Sequence, residues 1–418
     1  MAERAAAAGE DRAGRVRGEW RERLVEAAPM LRTVFLLWLG TRAVYALVTW
    51  LADNLHLYTA KPGLYGGVLA WQRWDANWYV LISRLGYWAR EAVNFFPLHP
   101  AITGAVAWLL GDGAGPIYPH ADPLRTFISM AVSNVGLLLA LCALTVLTRL
   151  ESDPADRDAG ARAARMMLAF PFAMAWTIGY ADGLFVGLAA CTLLLSRRGH
   201  WYAAALAALL AGLTRPVAVV LVLPLLWEFG QQHGWWRRPI ALAALMRPAT
   251  LLRGALAVGA VPVAMAGYFG FVWWRFGDPL LIFHNLRGDW DHVFHPQWWT
   301  IAHGVHRVLT IGDTSILAME LVLLAAMLLI VLITVRRTPF MYTLLVLGLL
   351  FMATLLPIPQ KPDLIWGAGR YIAGALPIYM ILARWTAGRP HLDSLLFGAG
   401  MMTQGILTIA LFQGRSVF

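Results

Sequence analysis

Apolar runs recur from Leu31 to Phe412, separated by short loops that carry arginine. A bilayer core is about 30 Å thick, and a helix needs roughly 20 mostly apolar residues to cross it. Lipid offers the backbone no hydrogen-bond partners, so a crossing segment must satisfy its own, as a helix does. Composition agrees, with 59% apolar and 14% charged residues, against about 45–50% and 25% in soluble domains. These values exclude a soluble globular enzyme, a disordered chain and a disulfide scaffold. They leave an all-α polytopic membrane protein. Cys142 and Cys191 both lie inside apolar runs and are too few for a zinc site.

The net charge of +10 would suggest nucleic acid in a soluble protein. Here it reads first as orientation, because Lys and Arg concentrate in cytoplasmic loops. Residues 1–30 hold six arginines from Arg4 to Arg23 and no apolar core, so they read as a cytoplasmic tail rather than a cleaved signal. Eleven spans follow: Leu31–Trp50, Arg125–Leu150, Ala163–Tyr180, Gly183–Ser196, Trp201–Leu213, Val217–Phe229, Leu252–Phe276, Ser315–Val335, Phe340–Leu356, Arg370–Ala383 and Leu395–Phe412. The run Pro97–Leu110 is short and opens on two prolines. If it crossed, the basic loop Arg149–Arg165 would lie outside, so it is assigned as an external surface helix. Likewise a single helix across Arg215-Pro216 would invert every later loop. With these assignments 21 of the 34 basic residues lie inside. One membrane domain then covers 31–413, with large external segments at 51–124 and 277–314 and an external tail at 414–418. Only Lys61 and Lys361 are lysine, and the Arg-, Ala- and Gly-heavy composition suggests a high-GC bacterium and its plasma membrane.

Candidate chemistry gathers on the external side. Trp71-Gln-Arg-Trp74-Asp75-Ala-Asn77-Trp78-Tyr79 leads into an amphipathic stretch in which Trp74, Trp78 and Leu81 share a face. Asp75 between two tryptophans is either a desolvated general base or an ordinary loop acid. His99, between Pro97 and Pro100, is either an acid–base group or ligand, or an interfacial filler. Asp182 either caps the following helix or faces a cavity. Arg215 and Arg370 stand at outer span ends, where a guanidinium either snorkels or grips phosphate. The loop Gly277–Asp313 carries several histidines and the pair Asp289-Trp290-Asp291. A divalent cation (Mg or Mn) is possible, but no ligand set stands out. There is no Walker A loop, dinucleotide fingerprint or nucleophile elbow.

Arg73-Trp74-Asp75-Ala-Asn77-Trp-Tyr79, Gly86-Tyr87 and Phe95-Phe-Pro-Leu-His99-Pro100 together resemble the first external loop of the PIG-V type mannosyltransferases, relatives of the second mannosyltransferase of GPI assembly. Gly179-Tyr-Ala-Asp182-Gly, Leu213-Thr-Arg215-Pro216 and Arg370-Tyr371 extend the likeness across most of 31–385. The family usually has Tyr-Thr/Ser-Glu where this chain has Tyr180-Ala181-Asp182. The resemblance implies a bacterial, actinobacterial member with a GT-C fold and external surface helices after the first span. It implies an extracytoplasmic site and a polyprenyl-phosphate sugar donor. A catalytic acid in the first loop matches Asp75.

The expected activity is therefore transfer of a sugar, mannose first, to a glycolipid, glycan or protein acceptor, with inversion. Asp75 is the expected base. Arg370, Tyr371, Arg215, Asp182, His99, Asn77 and Trp74 are the expected donor- and substrate-binding residues. Membrane lipids are partners and nucleic acid is not. A flippase for a lipid-linked sugar and a non-catalytic assembly subunit are the competing readings.

Overall fold

The structure is a computed structural model that describes residues 2–57, 63–112, 122–235, 248–311, 315–335, 338–359, 364–365, 367–415 and 417. Side chains are described from residue 28 onward, except at 315, 330, 333 and 334. The side chains of the tail arginines, and all of the loop arginines at 237, 238, 247, 336 and 337, both lysines and Asp313, fall outside what is described.

Among the described residues the secondary structure is helical. Helix α1 (Ala2–Asn54) leads to two short helices, α2 (Leu64–Leu69) and α3 (Asp75–Leu85), and then to α4 (Leu98–Leu109) and α5 (Pro123–Glu151). Next come α6 (Ala159–Leu168), α7 (Ala181–Arg197), α8 (Trp201–Gly212), α9 (Val222–Gln232) and α10 (Pro248–Phe276). Helices α11 (Leu281–Gly288) and α12 (Gln297–Thr310) occupy the second large segment. The last five are α13 (Ser315–Thr334), α14 (Phe340–Leu355), α15 (Ala368–Ala373), α16 (Leu376–Trp385) and α17 (Pro390–Phe412).

Four helices are long and apolar enough to cross a membrane: Ala28–Asn54, Pro123–Glu151, Pro248–Phe276 and Pro390–Phe412. Six shorter apolar helices accompany them among the described residues. The chain is an integral multi-pass membrane protein. Helix α4 has 12 residues, about 18 Å at 1.5 Å per residue, too short to cross alone.

Three assigned spans need comment. Ala163–Tyr180 is not one helix: α6 stops at Leu168, and the chain continues through Pro171 and a short 3-10 turn, Ala173–Trp176. Arg370–Ala383 is likewise divided into α15 and α16. In both, a proline cannot donate to the preceding turn and disfavours helix at the residue before it. The Trp201–Phe229 stretch folds back on itself. Arg215 is extended (φ −155°), and Trp201 at the start of α8 meets Phe229 near the end of α9 edge-to-face at 4.8 Å.

Helices α5 and α7 form the centre. A Cβ on Gly136, Gly183 or Gly187 would collide with backbone of the facing helix. Gly183 and Gly187 form a G-x-x-x-G step, which lets helices approach closely where lipid supplies no hydrophobic drive. One end of this centre is clasped by Arg197, which bridges Glu151 (2.7 Å) and Glu228 (2.9 Å), while Tyr342 donates to Glu151 at 3.1 Å.

Candidate active site

At the other end of α7 the chain breaks, and charge collects at the break. Tyr180 is extended (ψ 154°) and precedes Ala181, the first residue of α7. Asp182 thereby falls in the first helical turn, its side chain 6% exposed. It caps nothing, because the N-cap position is Tyr180 and no side-chain cap bond forms. Instead Asp182 Oδ1 accepts from Arg215 Nη1, delivered by the extended residue between α8 and the 3-10 turn Pro216–Leu221.

Asp75 comes from a second direction. Trp74 has φ +50°, a conformation that costs roughly 1–3 kcal/mol in a non-glycine residue and persists where the surroundings enforce it. That turn sets Asp75 at the start of α3. Its Oδ2 accepts from Arg370 Nη1 at 2.6 Å, and Arg370 Nε lies 3.9 Å from Asp182 Oδ1. The order is Asp75, Arg370, Asp182, Arg215, with acid and base alternating and the formal charges balanced.

Aromatic rings close the cluster. The Arg370 guanidinium lies 5.0 Å from the Tyr180 ring centroid, and that of Arg215 5.6 Å from Tyr371. Both contacts are cation–π. Tyr79, on α3, is buried and within electrostatic reach of all four charges. Glu320 on α13 accepts from the Gly369 backbone N–H at 3.1 Å, fixing the turn that carries Arg370. Ring packing of Phe172 against Gly369 leaves no room for a Cβ there.

The expected site residues therefore divide. Asp75, Asp182, Arg215, Arg370 and Tyr371 are brought together from segments far apart in the chain. His99 is not at the surface of the site. It is fully buried, 4.9 Å from the Tyr79 ring, and neither nitrogen makes a hydrogen bond of ordinary geometry, although the Ser129 backbone is near. Burial pushes the imidazole down to about 3, so it is neutral and reaches the cluster only through Tyr79. Asn77 belongs to another network, accepting from Gln72 at 3.0 Å, and Gln72 in turn accepts from Thr126 at 2.8 Å. Trp74 is exposed. Asp75 is partly desolvated, its side chain 33% exposed, while Trp78 stacks between Trp88 and Phe95.

Sequence reasoning missed Tyr79, Tyr180 and Glu320. Tyr79 and Tyr180 sat inside the motifs, where attention went to their acids. Glu320 carried a signal of its own, an acid within an apolar run.

A divalent cation does not fit the cluster, since each carboxylate is already held by an arginine. Among the described residues no three His, Cys, Asp or Glu side chains group as a metal site. Asp289 and Asp291 are exposed, and His295 and His303 stack on Trp299 at 3.8 and 4.3 Å.

No protein-family model matches the sequence, and no curated protein matches it either. Among solved structures the chain is similar to ArnT from Cupriavidus metallidurans bound to undecaprenyl phosphate, with TM-score 0.51, 15% identity, and coverage of 92% of this chain and 77% of that one. The fold is GT-C. ArnT in its apo state has TM-score 0.47 and 17% identity, with 92% and 77% covered. The apo Archaeoglobus fulgidus oligosaccharyltransferase has TM-score 0.40 and 13% identity, with 91% and 56% covered. At these identities the likeness is one of fold.

Proposed function

We propose that this GT-C protein is a glycosyltransferase that takes its sugar from a polyprenyl-phosphate sugar, with mannose the first candidate, at the extracytoplasmic membrane face. The observation that carries the reading is the alternating Asp75–Arg370–Asp182–Arg215 cluster, set at a helix break in a GT-C fold. The first-loop resemblance to PIG-V type enzymes supports mannose. The undecaprenyl phosphate bound to the similar ArnT supports a polyprenyl-phosphate donor.

Asp75 takes the proton from an acceptor hydroxyl. That oxygen attacks the anomeric carbon opposite the phosphate, the bond from carbon to phosphate oxygen breaks, and the configuration inverts. The leaving polyprenyl phosphate gains negative charge. Preorganised guanidinium groups stabilise such charge well in a water-poor site. Arg370 is the hinge of this scheme. Without donor it is bonded to Asp75; a donor phosphate competes for it and releases Asp75 to act as base. Asp182 keeps Arg215 and Arg370 in place while this exchange occurs. Tyr371 and Trp74 offer rings to the substrate, Asn77 orients α3 through Gln72, and His99 supports Tyr79 from beneath.

Membranes containing the protein, supplied with radiolabelled polyprenyl-phosphate mannose and a lipid extract, should form labelled product. Asp75→Asn and Asp75→Ala should abolish it, a loss of about 100-fold or more. Undiminished turnover by both variants would overturn the assignment of Asp75. Transfer from a different polyprenyl-phosphate sugar alone would correct the sugar.

A further inference from the structure

A cavity of about 630 Å³ opens between α1, α2 and α5, within the usual size of a ligand site. Ala46, Trp50, Leu64, Val68 and Phe127 supply much of its apolar wall. Trp50, Leu64 and Phe127 are exposed, so the cavity opens sideways on the surface that faces lipid. Its polar end is formed by Arg42, Asn134 and Thr177.

Arg42 sits within the membrane part of α1. Its Nη1 donates to Asn134 Oδ1, Nη2 lies 3.3 Å from Thr41 Oγ1, and its guanidinium is 5.1 Å from the Tyr45 ring centroid. Its Nε is buried without a hydrogen-bond partner. Among the described residues no carboxylate pairs with it. Asp53, the acid that lines the cavity, is eleven residues further along the same helix, about 16 Å away, and accepts from Gly63 N at 2.9 Å. The contrast with Arg197, Arg215 and Arg370 is plain, since each of those meets at least one carboxylate. A cation at membrane depth is costly unless something anionic meets it.

Two segments that line the cavity run on to the cluster. Trp71 lines it, and Asp75 follows four residues later; Thr177 lines it, and Tyr180 lies against Arg370. We propose that this cavity binds an anionic amphipathic lipid, with its phosphate on Arg42 and Asn134 and its chain passing through the open side into the bilayer. Resting on the transferase reading, this lipid is the acceptor. Donor phosphate is then met by Arg370 and Arg215, and acceptor phosphate by Arg42.

Binding is tested apart from turnover. The full chain, in nanodiscs of a zwitterionic lipid, is titrated with a diazirine-bearing alkyl phosphate and with the corresponding neutral alcohol. Wild type should prefer the phosphate by about tenfold or more, with photo-crosslinks on residues 42–54 and 127–134. Read as phosphate-over-alcohol crosslinking on residues 42–54 and 127–134 alone, the preference should be lost in Arg42→Gln, which still takes up the alcohol there, kept in part by Arg42→Lys, and unchanged in Arg370→Gln, whose own phosphate contact lies outside those residues. Ala46→Phe, which fills the cavity without touching the charge, should reduce both probes. An undiminished preference in Arg42→Gln, or crosslinks only elsewhere, overturns the site. If Arg370→Gln abolishes the preference, the phosphate sits in the cluster and the proposal fails. Binding as expected without any sugar transfer would retain the lipid site and remove the transferase reading instead.

Discussion

Asp182 and Arg215 are each nearly enclosed, with side-chain exposures of 6% and 11%. Removing one member of such a pair strands the other's charge, at a cost of about 3–5 kcal/mol. Asp182→Ala should therefore lower thermal stability strongly in detergent melts, and Asp182→Ala with Arg215→Met should recover much of the loss. His99 acts with pH. Its folded value of about 3 lies below the ordinary imidazole value, so between roughly pH 6.5 and 3 the unfolded chain binds a proton that the folded chain refuses. Acidification through that window should destabilise the protein, and His99→Gln should flatten the pH dependence of its melting temperature. Asp75, Arg215 and Arg370 were legible in the sequence because charged residues beside apolar runs have few ordinary explanations. The partners were not legible: nothing local to Asp75 indicates an arginine 295 positions away. The bland reading of Asp182 as a cap fails because the helix starts at Ala181, two residues before the Gly183 that a cap at Asp182 requires.

Helices α5 and α7 touch through glycine, and their closeness fixes where Asp182 stands. Gly187→Leu should cost about 1–3 kcal/mol or more by overpacking, whereas Gly267→Leu, whose Cβ would meet nothing within 4 Å, should be near neutral. Melting curves of the two variants compare them directly. Long apolar stretches such as Pro123–Glu151 and Pro248–Phe276 were readable from hydropathy alone, to within a few residues. The interruptions after Leu168 and at Gly374 were not, because mean hydropathy continues through a proline that the backbone hydrogen-bond ladder does not tolerate. Those interruptions flank the charged cluster, as expected when irregular backbone at membrane depth borders a cavity or packed protein.

Polar residues partition between two ends of the molecule. Arg197, Glu151, Glu228 and Tyr342 hold one end, and the Asp75–Arg215 cluster holds the other. From the basic bias of the loops we propose that the first end is cytoplasmic. A cysteine introduced at Arg198 should then resist a membrane-impermeant maleimide in intact cells, and one at Gly288 should react. Reversed labelling would invert the orientation and move the proposed chemistry to the cytoplasmic face. Loop parity is an expectation drawn from arginine placement in the sequence, and the labelling decides it; the convergence of α3, α7 and α15 on one point had no signal there.

The ion pair between Asp75 and Arg370 joins residues separated by 295 positions. Ribosomes add about 5–20 residues per second, so Asp75 waits roughly 15–60 s for its partner to be made. During that interval Asp75, and later Asp182, have been made and lack Arg370. A chain that terminates before residue 370 keeps every first-loop motif and has no assembled centre. Under the proposed function, synthesis past residue 370 is thus itself a safeguard, because a shorter chain lacks an arginine that the transfer needs.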